Sequence, residues 1–322
     1  MVAGLGNRRI RAVGLACAVA LGLIVGSPGA TAAARGTCSD GWEVSTVVSG
    51  IGNLENLDSD GAGGFYVTGI VDGYLAHIDA RGQVEKLVTG LENPAGVRVA
   101  GRSVYFLTGD GFTAGPGTLQ RYDLDTRRSE VLLTGLNGPN GLLLLPDGDL
   151  LFTTIGISQG APTGIARYRP STGEYTKTWA DLPLSNGIAL APDGKSIFAD
   201  NLTLRIFRIP LDRPAEHTVI AGVPQLTGLL DDMEATRTGT LFVADHIQGA
   251  IFQVDTATGA ACSIITGLIK PGATRNPPDG ATSVRIARDG GAWTLFATSM
   301  DGTLYRLRPP AGFDLAPATP QR

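Results

Sequence analysis

Two segments in the middle of the chain repeat one pattern, and this repeat limits the available folds more than any other feature. Residues 138–154 and 184–200 each contain an Asn-Gly pair, an apolar run, a Pro-Asp-Gly turn and a second apolar run with an aromatic residue. Two apolar runs of about five residues joined by a tight turn are typical of a β-hairpin. Asn and Gly are poor strand residues, so their presence at the start of both hairpins indicates a role in function.

The hairpin pattern continues along the chain with a period of roughly 42 residues, which is in the range of propeller blades. Four strands fit each period, which predicts an all-β fold: a six-bladed β-propeller with four antiparallel strands per blade. Residues 42–51 read as a lone strand before the first period, and the last period lacks its fourth strand. We expect this N-terminal strand to become the outer strand of the last blade, which closes the ring and removes an exposed sheet edge.

The first 34 residues have a different character. Arg8, Arg9 and Arg11 precede an apolar segment, residues 12–25, and a run of small residues, 30–34. This is the layout of a secretory signal peptide. We therefore predict a signal peptide at 1–34, a propeller at 35–310 and a Pro/Ala-rich tail at 311–322. We expect a secreted, extracellular protein; the Sec and twin-arginine routes both remain open.

Charge and composition exclude some partners. Removing the three arginines of residues 1–34, which contain no acidic residue, changes the formal charge from −4 to −7. A mildly acidic protein has no electrostatic reason to bind nucleic acid or anionic lipid. We expect a monomer that acts on a small-molecule substrate, with no membrane contact after signal cleavage. Cys38 and Cys262 remain after cleavage, and the sequence leaves open whether they form a disulfide or stay free.

Oxygen-bearing side chains recur where the first strand of a blade begins. Asn140 and Asn186 lie twelve residues before the aromatic residue of the second strand, and Glu55 and Asp231 lie eleven before it. The equivalent residues of blades two and six are Ala95 and Thr282. First strands line the channel of a propeller, so we predict that these four side chains bind one cation at the channel mouth. Hard oxygen donors suit Ca²⁺, Mg²⁺ or Mn²⁺ better than Zn²⁺. The alternative is that each residue merely supports a turn.

The same residues carry a family resemblance. Leu54-Glu55-Asn56-Leu57, the two Asn-Gly pairs, and Asp231 before Met233 resemble the family of senescence marker protein, gluconolactonase and luciferin-regenerating enzyme. The resemblance runs from about residue 42 to 309 and implies a six-bladed propeller with one catalytic divalent metal, usually Ca²⁺, that opens lactones. It implies metal binding by Glu55, Asn186 and Asp231, and metal or substrate contact by Asn140. Family members usually have Gly after the blade-five Asp, where this chain has Asp232, so the ligand is either Asp231 or Asp232. Asp231 is preferred because Met233 keeps the strand register.

Metal chemistry then predicts the reaction. A bound Ca²⁺, with Mg²⁺, Mn²⁺ or Zn²⁺ as alternatives, would polarise an ester or lactone carbonyl. Asp231 is the predicted general base or nucleophile, Asn140 the second catalytic residue, and His246 and Asp200 further candidates. The alternatives are a strictosidine-synthase-like propeller enzyme and a non-catalytic binding or scaffold module. Residues 156–160 match G-x-S-x-G by chance, because a proline and a strand follow where a nucleophile elbow needs a helix.

Overall fold

The computed structural model describes residues 38–161, 163–223, 228–269 and 280–318. These residues form 24 strands in six four-stranded antiparallel sheets. The prediction of an all-β, six-bladed β-propeller is confirmed. The described part of the chain contains no helix long and apolar enough to cross a membrane. The predicted signal peptide, residues 1–34, lies outside the described residues, as do Pro162, residues 270–279 of the loop 269–280, and the end of the tail.

Each blade is a meander that starts at the channel and ends at the rim. Blade one contains β2 (Leu54–Ser59), β3 (Phe65–Gly69), β4 (Tyr74–Ile78) and β5 (Val84–Thr89). Blade two contains β6 (Val97–Ala100), β7 (Ser103–Thr108), β8 (Pro116–Asp123) and β9 (Arg128–Asn137). Blade three contains β10 (Pro139–Leu144), β11 (Leu150–Thr154), β12 (Ile165–Arg169) and β13 (Glu174–Ala180).

The second half of the ring repeats this order. Blade four contains β14 (Ser185–Leu190), β15 (Ser196–Asn201), β16 (Arg205–Pro210) and β17 (Thr218–Gly222). Blade five contains β18 (Leu230–Ala235), β19 (Thr240–Asp245), β20 (Ala250–Asp255) and β21 (Ala261–Ile265). Blade six contains β22 (Ala281–Asp289), β23 (Ala292–Ser299), β24 (Thr303–Arg308) and, from the N-terminus, β1 (Glu43–Val48).

Tight turns join the first two strands of the central blades. In blade three, Leu145 and Asp149 close the turn through a backbone hydrogen bond of 2.8 Å. Gly148 has a φ of 92° in that turn, which a side chain would strain. Ala191 and Ser196 make the equivalent bond, at 2.9 Å, in blade four. The Pro-Asp-Gly segments therefore form the predicted hairpins.

Apolar side chains pack between neighbouring blades rather than in one central core. Phe198 of blade four, for example, lies in a cluster with Met233 and Leu241 of blade five, and all three side chains are fully buried. Burial of such a side chain contributes about 1.5–3 kcal/mol. Because each blade buries apolar side chains of the next blade, this packing is complete only when all six blades form a closed ring.

The N-terminal strand closes the ring as predicted. β1 pairs antiparallel with β24, and Glu43 lies opposite Arg308. The ring of Trp42 packs edge-on against Phe242 of blade five, with centroids 5.4 Å apart. Before β1, a disulfide joins Cys38 to Cys262 in the outer strand of blade five, so the pairing that the sequence left open is present.

The described part of the C-terminal tail packs on the ring. Leu315 is buried in a cluster with Trp42 and Phe242. Ala318 donates its backbone N–H to the carbonyl of Ala235 at the end of β18, at 2.8 Å. The tail therefore reaches the face of the disc at which the first strands end.

Candidate active site

Strand pairing places the four predicted residues at one position in their blades. The residue after Glu55 donates its backbone N–H to the side chain of Thr68 in the second strand, at 3.1 Å. Gly141, after Asn140, donates to Thr153 at 2.8 Å, and Gly187, after Asn186, donates to Asp200 at 3.0 Å. These equivalent bonds place the opening residues of blades one, three and four in one register, and the pairing of Leu230 with Asp245 places Asp231 in the same register. We call this set the upper ring: Glu55, Ala95, Asn140, Asn186, Asp231 and Thr282.

The glycines after the two asparagines allow neighbouring blades to meet at this level. A Cβ atom on Gly141 would lie 2.4 Å from the carbonyl oxygen of Asn186, and one on Gly187 would lie 2.2 Å from that of Asp231. Cβ contacts below 3.0 Å essentially do not occur, so each Asn must be followed by Gly. The backbones of Asn140, Asn186 and Asp231 thus follow one another around the mouth of the channel.

All four predicted ligands are buried. Glu55, Asn140, Asn186 and Asp231 have at most 4% of their surface exposed. The side-chain nitrogen of Asn186 donates to the carbonyl of Leu230 at 2.8 Å, which fixes the orientation of the amide. Its Oδ1 is buried without a hydrogen-bond partner among the described residues. A buried acceptor without a donor is costly, and a cation would satisfy it.

Asp231 is held from two sides. Its Oδ1 accepts the backbone N–H of Asp232 at 3.0 Å, and its Oδ2 lies 3.3 Å from Nδ1 of His246. His246, a further candidate from the sequence, directly follows β19, the second strand of blade five. The structure therefore brings these two candidates into direct contact.

Asp110 also belongs to the site, although its position was not predicted from the sequence. This residue follows β7 in the loop 109–116 and is buried, with 5% of its surface exposed. Its carboxyl group forms a hydrogen bond with the side chain of Asn140, and its Oδ1 is a second buried oxygen without a partner among the described residues. A loop has no strand register that would single out one of its residues from the sequence.

The site accumulates negative charge. Burial, and then the charges of Asp231 and Asp110, raise the pKa of Glu55 well above its usual range. Burial and the neighbouring carboxylates raise the pKa of Asp231 in the same way, and burial raises that of Asp110 to about 6. Burial also raises the pKa of Asp200 well above its usual value. Clustered buried carboxyl groups of this kind need either protons or a cation.

The donor set suits a hard divalent cation of the Ca²⁺ type. No group of three or more His, Cys, Asp or Glu side chains spaced to hold a metal ion occurs in the described ranges. The predicted ligands include only two carboxylates, Glu55 and Asp231, and the other two donors are amides. The partnerless oxygens of Asn186 and Asp110 are the features that fit a cation here. Metal binding by this set stays a prediction.

Asp232 has a different environment from Asp231. Its Oδ2 accepts hydrogen bonds from side chains of blades one, two and six: Asn56 at 2.9 Å, Arg98 at 3.1 Å, Ser283 at 2.8 Å and Arg285 at 3.0 Å. These side chains cross the channel just beyond the upper ring, and we call them, with Asp232, the channel network. Because two guanidinium groups already neutralise Asp232, Asp231 is the better candidate for a ligand at the mouth.

The G-x-S-x-G segment is a loop, as expected. Ser158 is exposed and donates its hydroxyl to the carbonyl of Ala114 at 2.8 Å. Ile157 donates its backbone N–H to the carbonyl of Phe112 at 2.8 Å, so this loop is joined to the loop that carries Asp110. The next regular element is strand β12, which begins at Ile165. A nucleophile elbow is therefore absent at this segment.

The family resemblance is confirmed over the middle of the chain. Residues 137–267 match the family model of the SMP-30/gluconolactonase/LRE-like region. The matched segment contains Asn140, Asn186 and Asp231, whereas Glu55 and Asp110 lie before it. No curated protein is significantly similar in sequence.

Solved structures agree on the fold. A gluconolactonase from Xanthomonas campestris has a TM-score of 0.66 and 19% identity, over 84% of this chain and 90% of that chain. The calcium-binding protein regucalcin from Agrobacterium tumefaciens has a TM-score of 0.64 and 19% identity, over 81% and 91%. A virginiamycin B lyase from Staphylococcus aureus has a TM-score of 0.57 and 13% identity, over 83% and 98%. The same fold carries different activities, so the reaction must be argued from the site.

Proposed function

We propose that the chain is a secreted hydrolase that opens a lactone or a related carboxylic ester, with one divalent cation, Ca²⁺, bound at the upper ring. The observation that supports this most is the buried Oδ1 of Asn186, which has no partner although it shares the ring with Glu55 and Asp231. An oxygen and two carboxylates arranged in this way are destabilising unless positive charge is added.

The cation would be held by Glu55, Asn140, Asn186 and Asp231, with Asp110 as a further oxygen donor. A bound Ca²⁺ supplies Lewis-acid polarisation of the ester carbonyl. The similarity of residues 137–267 to the gluconolactonase family model, and the likeness in fold to a gluconolactonase and to a calcium-binding protein, favour this chemistry over other uses of a propeller.

Asp231 is the residue we assign to proton transfer. Its carboxylate takes a proton from a water molecule, the water oxygen attacks the carbonyl carbon, and the proton is returned to the alkoxide that leaves when the ester C–O bond breaks. The contact with His246, at 3.3 Å, and the backbone N–H of Asp232 keep this carboxylate oriented. Asn140, held by Asp110, contacts the substrate or the cation.

The charge of the site favours an uncharged substrate. The groups that perturb the pKa of Glu55 are carboxyl groups with the exception of His246. A substrate carboxylate or phosphate would add to this negative charge. Phe112 and Ile157, on the joined loops at this face, are 38% and 53% exposed and offer apolar surface beside the site. We therefore favour a neutral lactone or ester that acts as a small-molecule substrate of a monomeric enzyme.

Export is part of the same proposal. The predicted signal peptide precedes a ring that is fastened by the disulfide between Cys38 and Cys262. Disulfides of this kind persist in oxidising compartments such as the outside of the cell.

The test combines turnover with metal binding. Purified protein is assayed on a panel of neutral lactones and aryl esters, with EDTA and then with Ca²⁺ restored, and Ca²⁺ binding is measured by titration calorimetry. Asp231→Asn keeps the shape of the side chain and should lower turnover by about a hundredfold or more, with weakened Ca²⁺ binding. Asp181→Asn, at an exposed position, is the matched control and should change neither.

Each outcome separates the alternatives. Turnover that survives EDTA contradicts the metal mechanism and favours a strictosidine-synthase-like enzyme. Calcium binding without turnover of any ester favours a non-catalytic binding module. Neither binding nor turnover contradicts the whole proposal.

A further inference from the structure

The first strands carry a second ring of side chains at the other end of the channel. These residues lie three positions after those of the upper ring: Asp58, Arg98, Leu143, Ala189, Glu234 and Arg285. We call them the lower ring. A strand rises about 3.3 Å per residue, so the two rings are about 10 Å apart. All six residues of the lower ring line a cavity of about 180 Å³, and the channel network lies between this cavity and the candidate active site.

One wall of the cavity is charged. Arg285 donates to Glu234 at 2.7 Å and to Asp232 at 3.0 Å, and Arg98 donates to Asp232 at 3.1 Å. Asp58 accepts the backbone N–H of a residue in blade two at 2.7 Å, and its Oδ1 lies 3.6 Å from Nε of Arg285, beyond hydrogen-bond distance. Two guanidinium groups therefore face three carboxyl groups, which leaves one negative charge in excess when all three carboxyl groups are ionised.

The excess charge belongs to the carboxyl groups that line the cavity. Glu234 is buried, with 7% of its surface exposed, and the hydrogen bond from Arg285 reaches only its Oε2. Burial raises the pKa of Glu234 well above its usual value in spite of the charge of Arg98, and the neighbouring Asp58 and Asp232 raise it further. Burial also raises the pKa of Asp58. One more positive charge at this wall would stabilise both ionised groups. The remaining acid of the lining, Asp60, is paired with His77 at 2.8 Å.

The opposite wall is apolar. Blades three and four supply it: Leu143, Leu144, Leu145, Ile188, Ala189 and Leu190. A bare metal ion would gain nothing from these side chains, and no group of three metal-ligating side chains occurs among the described residues here. A cavity of about 150 Å³ lined by such residues is large enough for one benzene ring. The wall therefore suits the hydrocarbon part of a small organic molecule.

We propose that this cavity binds a small organic ammonium ion, with its nitrogen against Glu234 and Asp58 and its hydrocarbon part against blades three and four. The excess negative charge excludes a carboxylate of the same size. The apolar wall favours the organic cation over a hydrated metal ion. This site is separate from the proposed hydrolase site, and its occupation does not require the enzyme to be active.

The test uses three probes of one shape and different charge: benzylamine, benzyl alcohol and benzoate. Binding to the whole protein is measured by titration calorimetry in the presence of EDTA and without any ester. We expect benzylamine to bind at least tenfold more tightly than benzyl alcohol, and benzoate not to bind. Glu234→Gln keeps an oxygen for Arg285 and should remove the tenfold preference. Glu43→Gln, at an exposed position, is the matched control and should keep it.

A second variant tests the position of the ligand. Ala189→Leu fills the cavity without changing any charge and should abolish benzylamine binding. If the Glu234→Gln variant does not fold, this second variant alone tests whether benzylamine binds in the cavity. Equal binding of benzoate and benzylamine, an unchanged preference in Glu234→Gln, or full binding to Ala189→Leu would each overturn the proposal. Because ester turnover is not measured, failure here does not bear on the proposed hydrolase.

Discussion

Adding one methyl group at Gly187 should separate the effect of ring geometry from that of ligand identity. In the structure, a Cβ at this position lies 2.2 Å from the carbonyl oxygen of Asp231, whereas ordinary contact begins at 3.4 Å. Gly187→Ala therefore forces blades four and five apart by about 1 Å at the upper ring. The backbone at Gly187 is not in the left-handed region, so the cost is one of space.

The expected magnitude follows from measured costs of overpacking. An added methylene in a well-packed interior destabilises a protein by about 1–3 kcal/mol. For a domain of this size, that corresponds to a fall in Tm of roughly 2–12 °C. Because Asn186 and Asp231 flank the forced opening, we expect Ca²⁺ affinity to fall by at least tenfold, although every proposed ligand is retained.

Gly222→Ala is the matched control, because a Cβ there meets no atom within 4 Å. Both variants are followed by urea unfolding, thermal circular dichroism and Ca²⁺ calorimetry. Gly222→Ala should leave stability and affinity unchanged. If Gly187→Ala is as stable as this control and binds Ca²⁺ equally well, the close approach of the two blades and the shared ring are both refuted.

Three further predictions concern stability. Reducing the Cys38–Cys262 disulfide, which joins residues 224 positions apart, should lower the free energy of unfolding by up to about 5 kcal/mol in the chain-entropy treatment; urea unfolding with and without reductant measures this. In the absence of a divalent cation, the pKa of Asp110 is about 6 in the folded chain against the ordinary 3.8, so the folded chain binds this proton more tightly than the unfolded chain does. Tm should therefore fall as the pH rises from about 4 to 7. Thermal scans measure this fall, and added Ca²⁺ should reverse it. Asp200→Thr introduces the residue type that blade three has at the equivalent position, Thr153, and removes a buried oxygen that has no partner among the described residues. It should raise the free energy of unfolding by about 1–2 kcal/mol. An unchanged urea midpoint would contradict the inference that the buried carboxyl group of Asp200 destabilises the fold.

The fold and the upper ring could be predicted because both depend on regular repetition. The Pro-Asp-Gly turns set the length of the hairpins, and the Asn-Gly pairs marked the same position in two blades. Counting from the aromatic residue then located Glu55 and Asp231 as well. The pairing of the first and second strands confirms that the blades share this register.

Asp110 and the channel network could not be predicted in the same way. Asp110 lies in a loop, where no period connects sequence to position. Arg98 and Arg285 lie in strands, but isolated charged residues in a strand are usually read as solvent-facing. Reading the chain three residues after each upper-ring position would have found both arginines together with Glu234, because the register that aligns one ring also aligns the next.

The channel network lies across the channel between the upper ring and the lower ring. Side chains from blades one, two and six meet at a single oxygen of Asp232 from blade five, so we expect a molecule that enters on one side of the disc to leave by the same side. We therefore expect the loops that admit the substrate to govern product release from the proposed hydrolase site. The opposite opening is free to acquire its own ligand, and surface changes there need not disturb chemistry on the far side.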